Sequence, residues 1–374
     1  MVQKKNIQIK IHLAKPLNGV YIKKLDDYFK EVIKSGFLTQ GKFLKKFEEN
    51  IKNFFRVKYA IGVSSGTAAL HLSLIAIGIK EGDEVILPAF TFPATANVVE
   101  LLGGKPVFVD VDLKSFNIQI ENLEKKITSK TRGIIPVHLF GNPCQIVEIK
   151  NIAEKYGLFI IEDAAGAIGS EIKGKKCGTF GDIGCFSFHP RKTITTGEGG
   201  MVITNNMKLA KRIKILRNHG IDKKKKDLLL PGFNYRMNEI EAFLGHIQML
   251  KIREIIKERR RIFEYYKKML LKIPFISIQE VIPESQPVFQ TLVIYSKRFN
   301  SEKIINYLKK YGIESTIGTY AVPFLTYYRK KYGYKKKDFP NAYKLYRNSV
   351  ALPFYNYMRR EEIKFVTEKL KEVF

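Results

Sequence analysis

Short apolar strands alternate with helical segments through the first part of this chain, and this alternation limits the choice of fold more than any other feature. The predicted strands are Tyr59–Val63, Val85–Pro88, Pro106–Asp112, Gly133–Val137 and Leu158–Asp163. Near-continuous apolar strands with helices between them are typical of an α/β fold, with a mostly parallel sheet covered by helices on both faces. Since ligands of such sheets bind at the carboxyl ends of the strands, we expect the functional residues there.

The pattern changes near residue 250. A long helical stretch from about Met237 to Lys272, with Asn238 as its N-cap, is predicted to lead from the sheet to a second unit. A strand at Pro287–Ile294 and a helix at Ser301–Tyr311 then predict a smaller α+β domain.

The length of 374 residues allows roughly two domains. We expect a large domain over residues 1–250, with an N-terminal segment that packs on the small domain. The small C-terminal domain is expected over residues 251–374. The hydrophobic content of 45% is sufficient for a sizeable core.

The sequence predicts a cytoplasmic protein without membrane insertion. No run reaches the roughly 18 apolar residues that a membrane span requires, and the N-terminus lacks the apolar core of a signal peptide. The three cysteines (Cys144, Cys177 and Cys185) are sparse and lack metal-binding spacing, which indicates reduced thiols and no metal site.

The charge is strongly basic, with 65 Lys and Arg against 36 Asp and Glu and a net charge of +29. Such a surface favours polyanions, including nucleic acid and phosphorylated small molecules. The basic residues are nevertheless spread along the chain, and no helix-turn-helix, zinc-finger or aromatic RNA-binding motif accompanies them. Nucleic-acid binding is therefore the less favoured interpretation.

One stretch, Gly178 to Val202, carries a candidate catalytic lysine. It predicts a strand at Cys185–His189, a loop with Lys192, a Gly-rich hairpin and a strand at Met201–Thr204. A lysine amine can form a Schiff base with a carbonyl compound such as pyridoxal phosphate (PLP). The alternative is a solvated surface lysine, although the small, aromatic and threonine neighbours of Lys192 favour the catalytic interpretation.

Three upstream features match the other needs of a PLP site. The run S-S-G-T-A-A, Ser64–Ala69, places Gly66 and Thr67 where a strand gives way to a helix, which suits a phosphate. Asp163 ends an apolar strand, where its carboxylate could keep a pyridine nitrogen protonated. Phe92 offers a flat apolar face to a ring. The alternatives are an ordinary capped helix, a turn-capping aspartate and a core aromatic residue.

Several long motifs occur in the order seen in one family. They are S-S-G-T-A-A-L-H, P-A-F-T-F-P-A-T-A-N, P-V-F-V-D-V-D, P-V-H-L-F-G-N-P, I-E-D-A-A, G-T-F-G-D-I-G-C-F-S-F-H-P-R-K-T-I-T-T-G-E-G-G and G-F-N-Y-R-M-N-E-I-E-A. From about Ile11 to Leu250 the chain resembles the DegT-type nucleotide-sugar aminotransferases, a branch of the fold-type-I PLP enzymes, and the similarity continues weakly to the C-terminus.

The resemblance implies a role for each matching residue. Lys192 would hold PLP as a Schiff base and shuttle protons, Asp163 would pair with the pyridine nitrogen, and Phe92 would stack on the ring. The phosphate would be held by Gly66, Thr67 and Ser187, together with Asn234 from the neighbouring subunit, which makes a homodimer necessary for a complete site. The candidate substrate contacts are His189, His219, Arg236 and Tyr320.

Two positions depart from the family. A polar side chain, often Gln, usually stands three residues after the Asp and touches the ring hydroxyl of the cofactor, whereas this chain has Gly166. Many relatives carry a His after T-Y-A, where this chain has Pro323. Conversely, Lys192 argues against the dehydratase members of the family, which have a His at that position.

The resemblance therefore implies a PLP-dependent aminotransferase that transfers an amino group, with glutamate as the expected donor, to a keto sugar of a nucleoside-diphosphate sugar. Two alternatives remain open. One is a PLP-dependent sugar dehydratase, and the other is a non-catalytic regulator of the same fold that binds nucleic acid through its basic surface.

Overall fold

The computed structural model describes residues 11–17, 22–222 and 224–374. In this part of the chain the α-helices are α1 (Ile22–Ser35), α2 (Lys42–Phe55), α3 (Gly66–Ile77), α4 (Ala94–Glu100), α5 (Ile120–Leu123), α6 (Ile146–Tyr156), α7 (Met207–Leu216), α8 (Glu239–Met249), α9 (Ile252–Leu270), α10 (Ser301–Lys310), α11 (Thr326–Tyr332), α12 (Pro340–Asn348) and α13 (Arg360–Lys371).

The β-strands of the same residues are β1 (Tyr59–Val63), β2 (Glu84–Pro88), β3 (Phe90–Thr91), β4 (Lys105–Val109), β5 (Thr131–Ile134), β6 (Phe159–Asp163), β7 (Glu171–Ile172), β8 (Lys175–Lys176), β9 (Ile183–Ser187), β10 (Gly200–Thr204), β11 (Ile221–Asp222), β12 (Asp227–Leu228), β13 (Ile276–Ile278), β14 (Ser285–Gln286), β15 (Leu292–Ser296), β16 (Thr316–Ile317), β17 (Tyr320–Ala321) and β18 (Ser349–Leu352).

A seven-stranded sheet forms the centre of the molecule, in the order β1-β10-β9-β6-β5-β2-β4. All neighbouring pairs from β9 to β4 are parallel, and only β10 runs against its two neighbours. The predicted α/β class with a mostly parallel sheet is therefore confirmed. The carboxyl ends of β1, β2, β5, β6 and β9 meet at one edge of this sheet.

Helix α3, which follows β1, is apolar on all sides. Its residues from Ala68 to Leu74 are all buried, because the helix packs against the sheet and also against α4 and α7. A helix that is apolar all round is a buried helix. Its N-terminus is thereby fixed at the edge where the strands end.

Strand β4 ends at Val109, three residues before the predicted end. The reason is chemical, because the two aspartates that follow bind backbone N–H groups of other segments. Asp110 accepts hydrogen bonds from the N–H groups of Asn341 and Ala342 at 3.0 and 2.8 Å and so caps α12. Asp112 accepts from the N–H of Ser115 at 2.7 Å and closes a turn.

The predicted single helix from Met237 to Lys272 is two helices. The predicted N-cap is correct, since Asn238 Oδ1 accepts from Glu241 N at 2.8 Å and the Glu241 carboxylate accepts from Asn238 N at 3.1 Å. The chain leaves the helical conformation at Lys251 (φ −115°, ψ 11°). Helix α8 packs on α1 and α2, whereas α9 packs on β13 and α13. The two helices therefore belong to different parts of the fold.

A second, antiparallel sheet has the order β13-β15-β18-β16. The predicted strand at Pro287–Ile294 is wrong at its start, because β15 begins at Leu292 and residues 287–291 form a loop in which Phe289 has a left-handed backbone (φ 52°). The N-terminal segment lies beside this second sheet: Ile11 forms a parallel bridge with Ile313, and Phe354 N donates to Leu13 O at 3.1 Å. The division of the chain at residue 250 stays a prediction.

Within the described residues, no helix combines the length and the apolar composition needed to cross a bilayer.

Candidate active site

A cavity of about 430 Å³ opens at the carboxyl edge of the central sheet. Seven of the residues expected at the cofactor or substrate line it: Gly66, Thr67, Phe92, Asp163, Ser187, His189 and Lys192. These residues come from four separate segments of the chain, and the parallel strands bring them together because each segment follows the end of a strand, as expected for this type of sheet.

Asp163 is buried at the end of β6 with its carboxylate held by two donors. The hydroxyl of Thr95 donates to Oδ2 at 2.8 Å, and the N–H of Ala165 donates to Oδ1 at 3.2 Å. Thr95 is itself in contact with Thr91, whose hydroxyl oxygen lies 3.3 Å away. The carboxylate is therefore fixed in direction, which a group that must meet one ring nitrogen requires.

A buried pair, His138 of the cavity wall and Glu162, fixes the end of β6. His138 Nε2 lies 2.9 Å from Glu162 Oε2, and His138 Nδ1 accepts from Cys144 N at 3.2 Å, so the ring proton is on Nε2 and is donated to Glu162. Glu162 also accepts three backbone N–H groups, from Gly178, Phe180 and Gly181, at 2.6–2.7 Å. These bonds tie the strand that carries Asp163 to the segment before β9.

Lys192 lies in the loop after β9, half-buried on the cavity wall. Burial lowers the pKa of its amine, the carboxylate of Asp163 opposes this shift, and the neighbouring Arg191 cation adds to it. A lowered pKa raises the fraction of neutral amine, which is the nucleophilic form. Of the described residues that line the cavity, Lys192 is the only lysine.

The loop after Lys192 is anchored by two buried polar side chains. Thr195 donates through its hydroxyl to Phe188 O at 2.8 Å. Gln248 of α8 clamps the backbone of the same threonine, because its Oε1 accepts from Thr195 N at 3.0 Å and its Nε2 donates to Thr195 O at 2.6 Å. Helix α8 thus fixes the position of the lysine loop.

Gly66, Thr67 and Ser187 form one corner of the cavity at the N-terminus of α3. Ser65 caps the helix by accepting from Ala68 N at 3.0 Å. A Cβ on Gly66 would lie 2.7 Å from Ser187 Cβ, so only glycine allows this approach. The free N–H groups and positive end of a helix favour an anion such as phosphate.

Phe92 is not a core residue. Its side chain is 61% exposed and lines the cavity. The ring of Tyr320 packs edge-on against it, with the centroids 6.2 Å apart, although Tyr320 itself does not line the cavity. An exposed aromatic ring at this place is available to cover a flat ligand.

Asn234, His219 and Arg236 do not line this cavity. Asn234 is exposed and its backbone bridges Asn218, while Arg236 Nη1 donates to Asn218 Oδ1 at 2.7 Å. His219 has a left-handed backbone (φ 58°) and donates its N–H to Phe233 O at 2.9 Å. The three residues share one segment beside the end of β1, close to the α3 corner but outside the cavity of their own chain.

His189 lies on the cavity wall beside Lys192. Burial lowers the pKa of its imidazole, and the Glu198 carboxylate opposes this shift. Arg191 N donates to Nδ1 at 3.3 Å, so the neutral ring carries its proton on Nε2.

The cavity residues that the sequence interpretation did not predict include Thr95, Arg191, Glu198 and Gln290. Thr95 stands in the motif F-T-F-P-A-T-A-N, where its spacing from Phe92 was the available signal. Gln290 had no signal, because it follows the predicted start of a strand far from every motif. Pro323 is buried in a short 3₁₀ turn, Val322–Phe324, and is not part of the cavity wall.

These residues fit PLP. Asp163 is oriented for a ring nitrogen, Lys192 has a lowered pKa, and the Gly66 corner lacks a side chain where a phosphate would bind. The described parts of the chain contain no group of three or more His, Cys, Asp or Glu side chains placed to hold a metal ion.

Comparison with known proteins gives the same result. The family model described as the DegT/DnrJ/EryC1/StrS aminotransferase family matches residues 21–371. The GDP-perosamine synthase of Escherichia coli O157:H7 is 37% identical over 356 residues, which cover 93% of this chain and 95% of that protein.

Two solved structures share the fold. DesV of S. venezuelae, in complex with a ketimine intermediate, has 29% identity and a TM-score of 0.91, over 97% of this chain and 98% of DesV. E. coli GDP-4-keto-6-deoxy-D-mannose-3-dehydratase with bound hydrated PLP has 26% identity and a TM-score of 0.90, over 97% of this chain and 100% of that chain. Since the family model spans nearly the whole chain and a relative is 37% identical over most of it, the chain belongs to the DegT/DnrJ/EryC1/StrS aminotransferase family.

Proposed function

We propose that this PLP-dependent aminotransferase transfers an amino group, with glutamate as the donor, to the keto carbon of a sugar linked to a nucleoside diphosphate. One observation carries the proposal: the amine of Lys192, with its lowered pKa, and the oriented carboxylate of Asp163 face one cavity. The GDP-perosamine synthase relative supports a nucleotide sugar as the substrate.

When bound, PLP supplies an aldehyde that takes up the amino group and a ring that withdraws electrons from the adjacent carbon. Asp163 would hold the proton of the ring nitrogen, which keeps the ring electron-withdrawing. Gly66, Thr67 and Ser187, with the N-terminus of α3, would bind the phosphate, and Phe92 would cover one face of the ring.

Lys192 is the residue that moves protons. As a free amine, its Nζ would remove the α-proton of the bound amino donor, and as an ammonium it would return a proton to the carbon being aminated. Since Lys192 is the only cavity-lining lysine of the described residues, we assign both transfers to it. The lowered pKa favours the free amine that begins this cycle.

The cation at the cavity mouth suits an anionic substrate. Arg191 is exposed and lines the cavity next to Lys192. A guanidinium binds a diphosphate or the carboxylate of glutamate through paired N–H donors.

We propose a homodimer with shared active sites. In this arrangement the partner subunit's Asn234 completes the phosphate site, which explains why Asn234 lies outside the cavity of its own chain. An exposed apolar surface supports the association: Phe29, Ile33, Phe37 and Leu38 are 46–69% exposed, and Leu38 O accepts from Glu239 N beside the exposed Ile240. Several large apolar side chains exposed within one short segment are what an interface would cover.

We also propose a cytoplasmic location. All three cysteines lie in the described residues, where they are buried and free, as expected in a reducing compartment.

The second candidate, sugar dehydration, is favoured by the similarity to a 3-dehydratase of the same fold. Lys192 distinguishes the two reactions, because an amine can both bind the aldehyde and transfer the proton needed for amination. The product separates them, since only amination leaves nitrogen on the sugar.

The experiment is a titration of the purified, PLP-loaded protein with glutamate. The visible band of the bound cofactor should disappear with glutamate and return with a nucleotide-linked keto sugar, and mass spectrometry should show an amino sugar. Lys192→Ala should lose borohydride-trapped cofactor. A wild-type protein that keeps its band with glutamate and yields a nitrogen-free sugar contradicts the proposal.

A further inference from the structure

Gln290 occupies the space that a side chain at position 166 would fill. A Cβ on Gly166 would lie 3.1 Å from Gln290 Oε1 and 3.5 Å from Gln290 Cβ. Both residues line the cavity with Asp163 and Lys192. The space left by the missing side chain at position 166 is therefore filled by the buried polar side chain of Gln290, which comes from a distant part of the sequence.

Three hydrogen bonds fix Gln290 in this place. Its backbone N–H donates to Phe140 O at 2.8 Å, and its carbonyl accepts from Arg259 Nη2 at 2.6 Å. Its side-chain Nε2 donates to Arg191 O at 2.6 Å. The last bond ties Gln290 to the residue before Lys192, so the glutamine also steadies the lysine loop.

The direction of the amide follows from these bonds. A carbonyl oxygen needs a donor, so the amide nitrogen must face Arg191 and the amide oxygen must face Gly166. Among the residues that the structure describes, no donor reaches Gln290 Oε1. An acceptor on a cavity wall is available to a donor of the ligand.

The position of the acceptor relative to the other site residues indicates which edge of PLP it meets. Asp163 marks the ring nitrogen, Lys192 marks the aldehyde, and the Gly66–Ser187 corner marks the phosphate arm. The ring hydroxyl lies on the side of the aldehyde away from the phosphate arm. Gln290 lies on the wall formed with Phe140, Gly166 and Arg191, and within the described residues its hydrogen bonds go to none of Gly66, Thr67 and Ser187.

We propose that Gln290 substitutes for a side chain at position 166 and presents its Oε1 as the acceptor for the ring hydroxyl of PLP. This inference rests on the proposed function, because it concerns the cofactor of the same site. Gln290 is a cofactor-binding and positioning residue, since it contacts the ring edge and holds the backbone of the lysine loop.

The test is a double-mutant cycle with Gln290→Ala and Gly166→Gln, read out by PLP affinity. Gln290→Ala should weaken PLP about fivefold, the effect of one lost hydrogen bond. Gly166→Gln should also weaken PLP, because the new side chain meets Gln290. The double variant should bind PLP better than either single variant, since one side chain replaces the other.

The pH midpoint of the visible absorbance of PLP-loaded protein gives a second readout, which a purely structural role would not move. An acceptor favours the protonated cofactor, so its loss in Gln290→Ala should move the midpoint to lower pH by about 0.7 unit, equivalent to the fivefold change. Gln290→Met keeps the side-chain volume and removes the amide, so it should shift the midpoint by a similar amount. This variant replaces Gln290→Ala in the test if Gln290→Ala folds poorly.

Gln279→Ala is the matched control. Gln279 is also buried and its Nε2 also donates to backbone oxygens, at 2.9 Å from Ser115 O and 3.4 Å from Leu139 O, but its own side chain does not line the cavity. This variant should leave the PLP affinity and the pH midpoint unchanged. Strictly additive losses in the cycle, or a Gln290→Ala midpoint equal to wild type, would overturn the inference. A wild-type protein that does not bind PLP would instead overturn the proposed function.

Discussion

The hydroxyl of Thr95 donates a 2.8 Å hydrogen bond to the Oδ2 of Asp163, and both side chains are buried. The threonine belongs to the start of α4 and the aspartate to the end of β6, so the bond joins two segments that are 68 residues apart in sequence. This bond restricts the orientation of the Asp163 carboxylate, and so fixes the direction from which the carboxylate can approach a ring nitrogen.

Replacement of Thr95 by valine tests this relationship. The substitution keeps the shape of the side chain and removes a hydrogen bond to a charged group, which is worth about 1.5–3 kcal/mol. We expect PLP to bind at least about tenfold more weakly, measured by absorbance titration. Thr91→Val, which removes a neighbouring hydroxyl that does not contact Asp163, should have a smaller effect. Equal affinities for Thr95→Val and wild type would show that the bond does not orient Asp163 for the cofactor.

Gly66→Ala should damage the phosphate corner. The added Cβ would lie 2.7 Å from Ser187 Cβ, and relief requires a backbone shift of α3 or β9. Overpacking of this kind costs about 1–3 kcal/mol in the free energy of unfolding. We expect a lower denaturant midpoint and weaker PLP binding.

The matched variant is Ser187→Gly. Combined with Gly66→Ala it removes the atom that the new methyl group meets, so the double variant should regain the stability lost in Gly66→Ala. Its PLP affinity should stay low because the Ser187 hydroxyl is missing. A double variant as unstable as Gly66→Ala would show that the contact is not the cause.

Lys192→Met should stabilise the cofactor-free protein near neutral pH. Because burial lowers the pKa of Lys192 in the folded state, the unfolded chain binds more protons than the folded chain between that lowered pKa and the ordinary lysine pKa of about 10.4. The contribution of Lys192 to the free energy of unfolding therefore rises with pH in this window. The stability advantage of Lys192→Met should shrink as the pH rises from 7 towards about 10.

Urea unfolding of the cofactor-free proteins at several pH values measures this difference. Lys225→Met, at an exposed position, is the control and should follow wild type at every pH. A difference between Lys192→Met and wild type that stays constant with pH would contradict a lowered pKa.

Subunit mixing tests the proposed shared site. Lys192→Ala and Asn234→Ala homodimers should both have low transaminase activity. If the partner subunit's Asn234 completes each site, a mixed dimer contains one site with both residues intact. Refolding the two variants together should then restore about a quarter of wild-type activity, since half of the dimers are mixed and each has one complete site. Mixed dimers without restored activity would place Asn234 in the site of its own chain.

The fold class and the chemical class of the site could both be predicted from local sequence patterns and motifs. The strands that end at Val63, Asp163 and Ser187 have local apolar signals, and parallel strands bring their carboxyl ends together whatever the details of packing. For the same reason Gly66, Asp163 and Lys192 could be assigned to one site in advance, although their individual roles stay predictions. The aminotransferase family and the use of PLP were predicted from the motifs and are confirmed.

The side chains that support those residues could not be predicted, because they are brought into place by packing between distant segments. The Thr95 hydroxyl meets Asp163, and Gln290 takes the space beside Gly166, because the register of the sheet and the course of the loop at residues 287–291 bring them there. Residues 287–291 have the apolar pattern of a strand, but the left-handed backbone of Phe289 (φ 52°) breaks the extended conformation, so the local pattern predicted the wrong start for β15. Contacts between residues far apart in sequence depend on packing geometry, which local patterns of hydrophobicity do not encode.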